Sequence, residues 1–227
     1  MDLHSREFKI AFKTSIPVMM GYSVLGFAFG LLLVSSGQPW YVAVLMSLVI
    51  YAGALQFLAV GFFSSKLGMI DIFIASIMVN IRQSFYGLSL LKKFKKTKLK
   101  PYLIFALTDE TYALLTTIKE SENIKKKWYY FYLSMLNQSY WVFGTTMGAL
   151  FGKIVSFNTK GLDFSLTALF VVLAIEQYKK DKNLTPFIIG AFASIVGFVA
   201  VSRENMLIFS IIFSIMLMFI FKKRFAK

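Results

Sequence analysis

The chain has 227 residues, 57% hydrophobic, 17% aromatic and only 16% charged, with a mean hydropathy of +0.66. A soluble domain is nearer a quarter charged, so a soluble globular fold is excluded and an integral membrane protein is indicated. The formal charge of +14 sits in clusters between apolar runs, not on a continuous basic face with interleaved aromatics, so a nucleic-acid partner is not expected.

The apolar segments, in chain order, begin with 14–37. It follows Arg6, Lys9 and Lys13, is longer than a signal-peptide core and lacks a clear cleavage site, so it is read as a retained first helix. Between Lys13 and Lys66 lie 52 residues without Asp, Glu, Lys or Arg. That is enough for two spans of about 20 residues, with a turn at Ser35–Pro39 and a second helix predicted over 40–64. Gln56, beside Gly53 in "YAGALQF", fits a helix interface and a substrate contact equally well.

The third segment, 69–91, contains "VNIRQSFYG". Arg82 is its one charge between Asp71 and Lys92, and an intramembrane cation needs a partner or an aqueous cavity. Snorkelling to the Lys92 side would have to cover about 15 Å. Asn80 and Ser84 share one helix face, Arg82 and Tyr86 another. The fourth segment, 101–118, is interrupted by Thr108-Asp109-Glu110. Thr108 is a good N-cap, which would put both acids in the first turn of a short helix. A cap alone, an ion pair with Arg82 and a proton carrier all remain open for these acids. Segments 128–152, 162–178, 184–202 and 205–221 complete the set. All read as helices, and nothing alternates with the period of barrel strands.

The fold class expected is therefore an all-α polytopic bundle of about seven or eight hydrophobic segments forming a single membrane domain over 1–227. Gly26-x-x-x-Gly30 matches Gly144-x-x-x-Gly148, "LVIYAGALQF" (48–57) matches "LFVVLAIEQY" (169–178), and "FIASIMV" (73–79) matches "AFASIVG" (191–197). The common order predicts a duplicated three-helix unit: repeat 1 over 14–91, a linking segment over 92–127, repeat 2 over 128–202 and a terminal helix over 205–221. In the second copy Gln56 corresponds to Glu176 and Gln177. If 101–118 is re-entrant or interfacial, the six Lys of 92–100 and the four of 119–127 share one side, as the positive-inside tendency favours. The two repeats would then be inverted, with the basic N-terminal tail on the opposite side, against the same tendency.

Enzyme chemistry finds little support. "GALFGK" (148–153) has three residues between its glycines where a phosphate-binding loop has four. There is no Cys, and the one His is His4, so thiolate chemistry and zinc or haem ligation have no ligands. Asp109 and Glu110 point about 100° apart on a helix and cannot flank one substrate bond.

Together, Pro17-x-x-x-Gly21 with Gly26, Phe29 and Gly30, "SLVIYAGALQF" (47–57), "NIRQSFYGLSL" (80–90), "LTDETYAL" (107–114) and "FGTTMGALFG" (143–152) resemble the AzlC family, the large subunit of bacterial branched-chain amino acid exporters. The resemblance implies a multi-pass protein of the bacterial cytoplasmic membrane that exports branched-chain or related hydrophobic amino acids. It further implies a small AzlD-like membrane subunit as partner and energy from an ion gradient, with protons as the coupling ion; no cofactor or metal is expected. Gln56, Asn80, Arg82, Asp109 and Glu110 become the candidates for a substrate or ion path, and Pro17, Gly21 and Gly53 for helix breaks or close backbone approach. Arg82 or broken-helix amides suit a substrate carboxylate, and Asp109 or Glu110 its ammonium or a coupling proton. The alternative is a membrane-embedded scaffold subunit of a transport complex, with those polar residues packed dry between helices.

Overall fold

The computed structural model describes residues 5–64, 68–94, 97–117, 124–154, 182–201 and 206–225, with single positions 171, 174, 175 and 178. Segment 162–178, and with it Glu176 and Gln177, lies largely outside the described residues. All regular structure among the described residues is α-helical. In chain order it comprises α1 (Ser5–Ser35), α2 (Trp40–Val49), α3 (Gly53–Ser64), α4 (Met69–Leu90), α5 (Lys100–Phe105), α6 (Asp109–Thr117), α7 (Lys126–Ile154), α8 (Thr185–Ala200) and α9 (Met206–Phe225). Arg6–Ser35 is the described helix both long and apolar enough to span a bilayer. At 22 and 29 residues, α4 and α7 have the length but carry more polar residues.

The chain forms two compact units, Met1–Phe63 with Asn80–Thr159, and Ser64–Val79 with Lys160–Lys227. The division falls inside α4 and does not follow two successive repeats. In the second unit α8 packs on α9, where Gly197 lets the Ser210 hydroxyl come close.

The first unit is built on α1 packed along α7. Glu7 meets Lys125, Ser15 meets Tyr140, and Leu31 and Val34 meet Gly152, so the two helices run in the same direction. Glycines set their separation. A Cβ on Gly26 would lie 2.8 Å from the Trp141 carbonyl oxygen, and one on Gly144 2.7 Å from that of Ser23. Gly30 likewise abuts Thr145, and Gly148 abuts Phe27. These contacts are reciprocal: adding 118 to Gly26 and Gly30 and subtracting it from Trp141 and Thr145 turns the first member of each pair of contacts into the second. Such an isologous pattern is that of two helices related by a local two-fold axis along their length. The equivalent glycine helices are thus parallel, and the inverted relation expected from sequence does not hold for them.

Basic ends gather at one end of this unit. Ala11 of α1, Leu90 at the end of α4, Phe94 after it, Leu103 of α5, Leu107 between α5 and α6, Leu115 of α6 and Tyr129 and Leu133 of α7 belong to one buried cluster. Both arms of the 101–118 segment therefore return to the same end, as a re-entrant segment does. The start of α1 shares that end with Lys92, Lys93, Lys98, Lys100 and Lys125–Lys127, which removes the conflict with the positive-inside tendency.

A single crossing helix over 40–64 puts the N-terminal tail on the opposite side; instead, the chain breaks there. α2 runs back along α7, with Ser47 Oγ donating to Thr145 Oγ1 at 3.0 Å. It ends near Ile50, and Tyr51 takes a left-handed φ of +44°. Gln56 Nε2 then donates to Ser47 Oγ at 3.1 Å. Nine residues of unbroken helix would separate them by about 13.5 Å along the axis, so the chain turns sharply at 50–52. Phe57 packs on Phe29 in the second half of α1, which points α3 back toward the end where α2 began. The two interrupted segments enter from opposite ends, and their tips meet where the rings of Tyr51 and Phe105 lie 6.3 Å apart.

Two expected break or approach positions are corrected. Pro17 lies inside an uninterrupted α1: it forfeits a single backbone hydrogen bond, and the packing against α7 carries the helix through. Gly21 faces open space, with nothing within 4 Å of where a Cβ would be.

Candidate functional site

The start of α6 organises the polar residues of the first unit. Thr108 Oγ1 accepts the Thr111 amide at 3.3 Å, an N-cap that leaves Asp109 and Glu110 in the first helical turn. This cap is not at a surface. Thr108 sits beside Tyr22, which lies eleven residues along α1 from Ala11, about 16 Å by helical rise.

From there the two acids diverge. Asp109 Oδ2 accepts from Arg82 Nη1 of α4 at 2.9 Å. Asp109 Oδ1 is buried and makes no bond to Arg82. Tyr86, one turn beyond Arg82, stands beside the same carboxylate, with its ring stacked on Tyr112 at 4.3 Å. The Arg82 and Asp109 side chains are 45% and 37% exposed. The snorkelling alternative for Arg82 is not what the structure adopts.

Glu110 turns toward α1, where the Tyr22 hydroxyl lies 2.6 Å from its Oε2 and 2.7 Å from Thr108 Oγ1. Tyr22 has one proton, and the carboxylate is the stronger acceptor. Thr108 is then free to donate to Thr111 Oγ1 at 3.0 Å, which also accepts from Asn137 Nδ2 of α7 at 3.0 Å. The buried Tyr51 hydroxyl lies beside Thr111 and Thr108, and Asn137 Oδ1 borders the same chain. Arg82 pairs with Asp109, and Glu110 on Tyr22 has no cation beside it, so the three groups sum to a formal charge of −1.

Gln56 belongs to a second, dry cluster. Its amide is fully buried, donating to Ser47 and accepting from Trp141 Nε1 at 2.9 Å. The Trp141 ring meets Tyr22 edge-on at 5.3 Å. A Cβ on Gly53 would lie 3.1 Å from that ring, so the room beside Gly53 is filled by Trp141. Gln56 ties α2, α3 and α7 together, with both the nitrogen and the oxygen of its side-chain amide bonded within the protein. Asn80 sits half-buried on α4, two residues before Arg82, and joins neither network.

Arg82, Asp109 and Glu110 are thus brought together, Gln56 connects to them only through Trp141 and Tyr22, and Pro17 and Gly21 stand apart. Tyr22, Tyr51, Thr111, Asn137 and Trp141 were not singled out from sequence. Asn137, a lone amide within "YLSMLNQSYW", carried some signal; a tyrosine or tryptophan among 39 aromatic residues carries none. Among the described residues no group of three or more His, Cys, Asp or Glu is placed to hold a metal ion.

A family model described as AzlC protein matches residues 17–155. An uncharacterized membrane protein of Helicobacter pylori is 40% identical over 96% of this chain and 96% of its own. The branched-chain amino acid transport protein AzlC of Bacillus subtilis is 37% identical over 88% of this chain and 80% of its own. The inner membrane protein YgaZ of Escherichia coli is 28% identical over 86% and 83%. No solved structure matches.

Proposed function

The chain belongs to the AzlC family, and on that premise we propose that it is a secondary exporter of branched-chain or related hydrophobic amino acids across the bacterial cytoplasmic membrane. The Arg82–Asp109 pair at the inner end of a re-entrant segment, with Glu110 beside it, is the observation that carries this reading. A zwitterion needs a cationic contact, an anionic contact and an apolar surround. Arg82 offers the first, the charge left over on Glu110 the second, and the aromatic and aliphatic walls of the helices the third. Charged groups deep in a membrane protein are costly unless they are used, and transporters repeatedly place such groups where helices are interrupted.

Export against a gradient needs an energy source, and a carboxylate that exchanges a counter-charge for a proton supplies one; protons are the coupling ion of this reading. A small AzlD-like subunit completes the complex. The scaffold alternative draws on Gln56 alone, whose amide is spent inside the protein, whereas Arg82 and Asp109 remain accessible. The test is amino acid efflux from cells loaded with branched-chain dipeptides, with and without this chain and the small subunit. External valine, leucine, isoleucine or methionine should rise faster with the pair expressed; no rise would remove the reading.

A further inference from the structure

We propose that Asp109 holds on Arg82 the place that the substrate's carboxylate takes, so that loading the site and opening the ion pair are one step. This rests on the amino acid reading above. Three features of the pair point to a placeholder and not a structural staple.

The first is its geometry. A guanidinium presents a planar fork of donors that suits both oxygens of a carboxylate. Asp109 engages it through Oδ2, at 2.9 Å, while Oδ1 is buried away from the guanidinium and the Tyr86 hydroxyl stands beside the same carboxylate. Asp109 is anchored as the first residue of α6 by the Thr108 cap, so its short side chain reaches Arg82 from a set direction. A free α-carboxylate has no such tether and can take both donors. The incoming ligand therefore makes the better contact, which is the condition for displacing an internal one.

The second is access. Gln56, the structural polar residue of this unit, is fully buried, whereas both members of the pair are more than a third exposed. The third is the separate fate of the neighbouring acid. Glu110 is held by Tyr22, so Asp109 can release Arg82 while an acceptor for the substrate's ammonium stays in place.

The experiment measures binding to the full-length chain in lipid nanodiscs by titration calorimetry, using leucine and 3-methylbutylamine, its analogue without the carboxylate. Asp109→Asn should bind leucine about tenfold more tightly than the native chain, because the competitor for Arg82 has lost its charge. Its affinity for the amine should not change. Asp109→Glu, with a longer arm able to meet the fork with both oxygens, should bind leucine several-fold more weakly. Arg82→Gln should reduce leucine affinity to that of the amine. A purely structural pair would make both Asp109 variants lose affinity in parallel for both ligands. That result, or an Asp109→Asn protein that melts like the native chain yet binds leucine no more tightly, overturns the placeholder alone. If the native chain binds no hydrophobic amino acid, the transport reading falls and takes the placeholder with it.

Discussion

Alanine substitution at the α1–α7 glycines tests the parallel, reciprocal packing directly. At Gly26 and Gly144 an added Cβ would lie 2.8 and 2.7 Å from the facing carbonyl oxygens, against 3.4 Å for ordinary contact, so the backbones must part by about 0.6–0.7 Å. At Gly30 and Gly148 the approach is closer still and the neighbour is again backbone, which cannot rotate away. Overpacking of this kind costs roughly 1–3 kcal/mol, with the upper end expected at Gly30 and Gly148. For a chain of this size each kcal/mol lowers the melting temperature by about 2–4 °C. Gly21→Ala and Gly61→Ala are the controls: nothing lies within 4 Å of either position, and the helix-propensity gain should leave them level or slightly stabilised. The assay is the fraction of purified chain that stays monodisperse on size exclusion after heating. Gly26→Ala should match Gly144→Ala, and Gly30→Ala should match Gly148→Ala. The Gly30/Gly148 double variant should lose less than the sum, because the first alanine already separates the helices. A Gly148→Ala chain that melts with Gly21→Ala would refute the packing.

Four further outcomes are expected. Gln56→Leu strands the Trp141 indole N–H and removes a donor from Ser47, whose hydroxyl keeps Thr145, so it should cost about 1–3 kcal/mol from one orphaned group, read as a lower melting temperature; a melting temperature equal to that of the native chain would show that Gln56 does not staple the helices. Thr108→Val removes the α6 cap and should cost about 1 kcal/mol while Thr108→Ser keeps it, again by thermal melting. Tyr22→Phe leaves Glu110 without its hydroxyl donor and should slow efflux from loaded cells with little change in expression; unchanged efflux would separate Glu110 from the path. The chain has no cysteine, so single cysteines at Lys9, Lys98 and Lys126 can be labelled with a membrane-impermeant maleimide. All three should react from the cytoplasmic side and Gln38→Cys from the other, and a label at Lys9 from the outside would reverse the topology of the first unit.

By itself the sequence determined the class of the molecule and the materials of its site. The long charge-free stretch and the spacing of the apolar segments are enough for an all-helical membrane protein, since a bilayer admits little else. Thr108, Asp109 and Glu110 announce a helix start because capping is local chemistry, and Arg82 announces the need for a partner because an isolated intramembrane charge is costly. Three things were decided by tertiary structure. The Thr108 cap lies deep in the unit, within reach of Arg82, because both arms of its segment return to one hydrophobic cluster. The second segment breaks at Tyr51, a residue type with no local preference for positive φ, held there by burial against Phe105 and the polar tip of α6. The glycine helices run in parallel, and this places the basic N-terminal tail with the other basic segments. Apolar residues are equally content facing lipid in either direction, so their pattern carries no sign for direction or for a turn inside the membrane. That sign comes from contacts such as Gln56 with Trp141 and Gly148 with Phe27, between residues 85 and 121 positions apart, which exist only once the chain has folded.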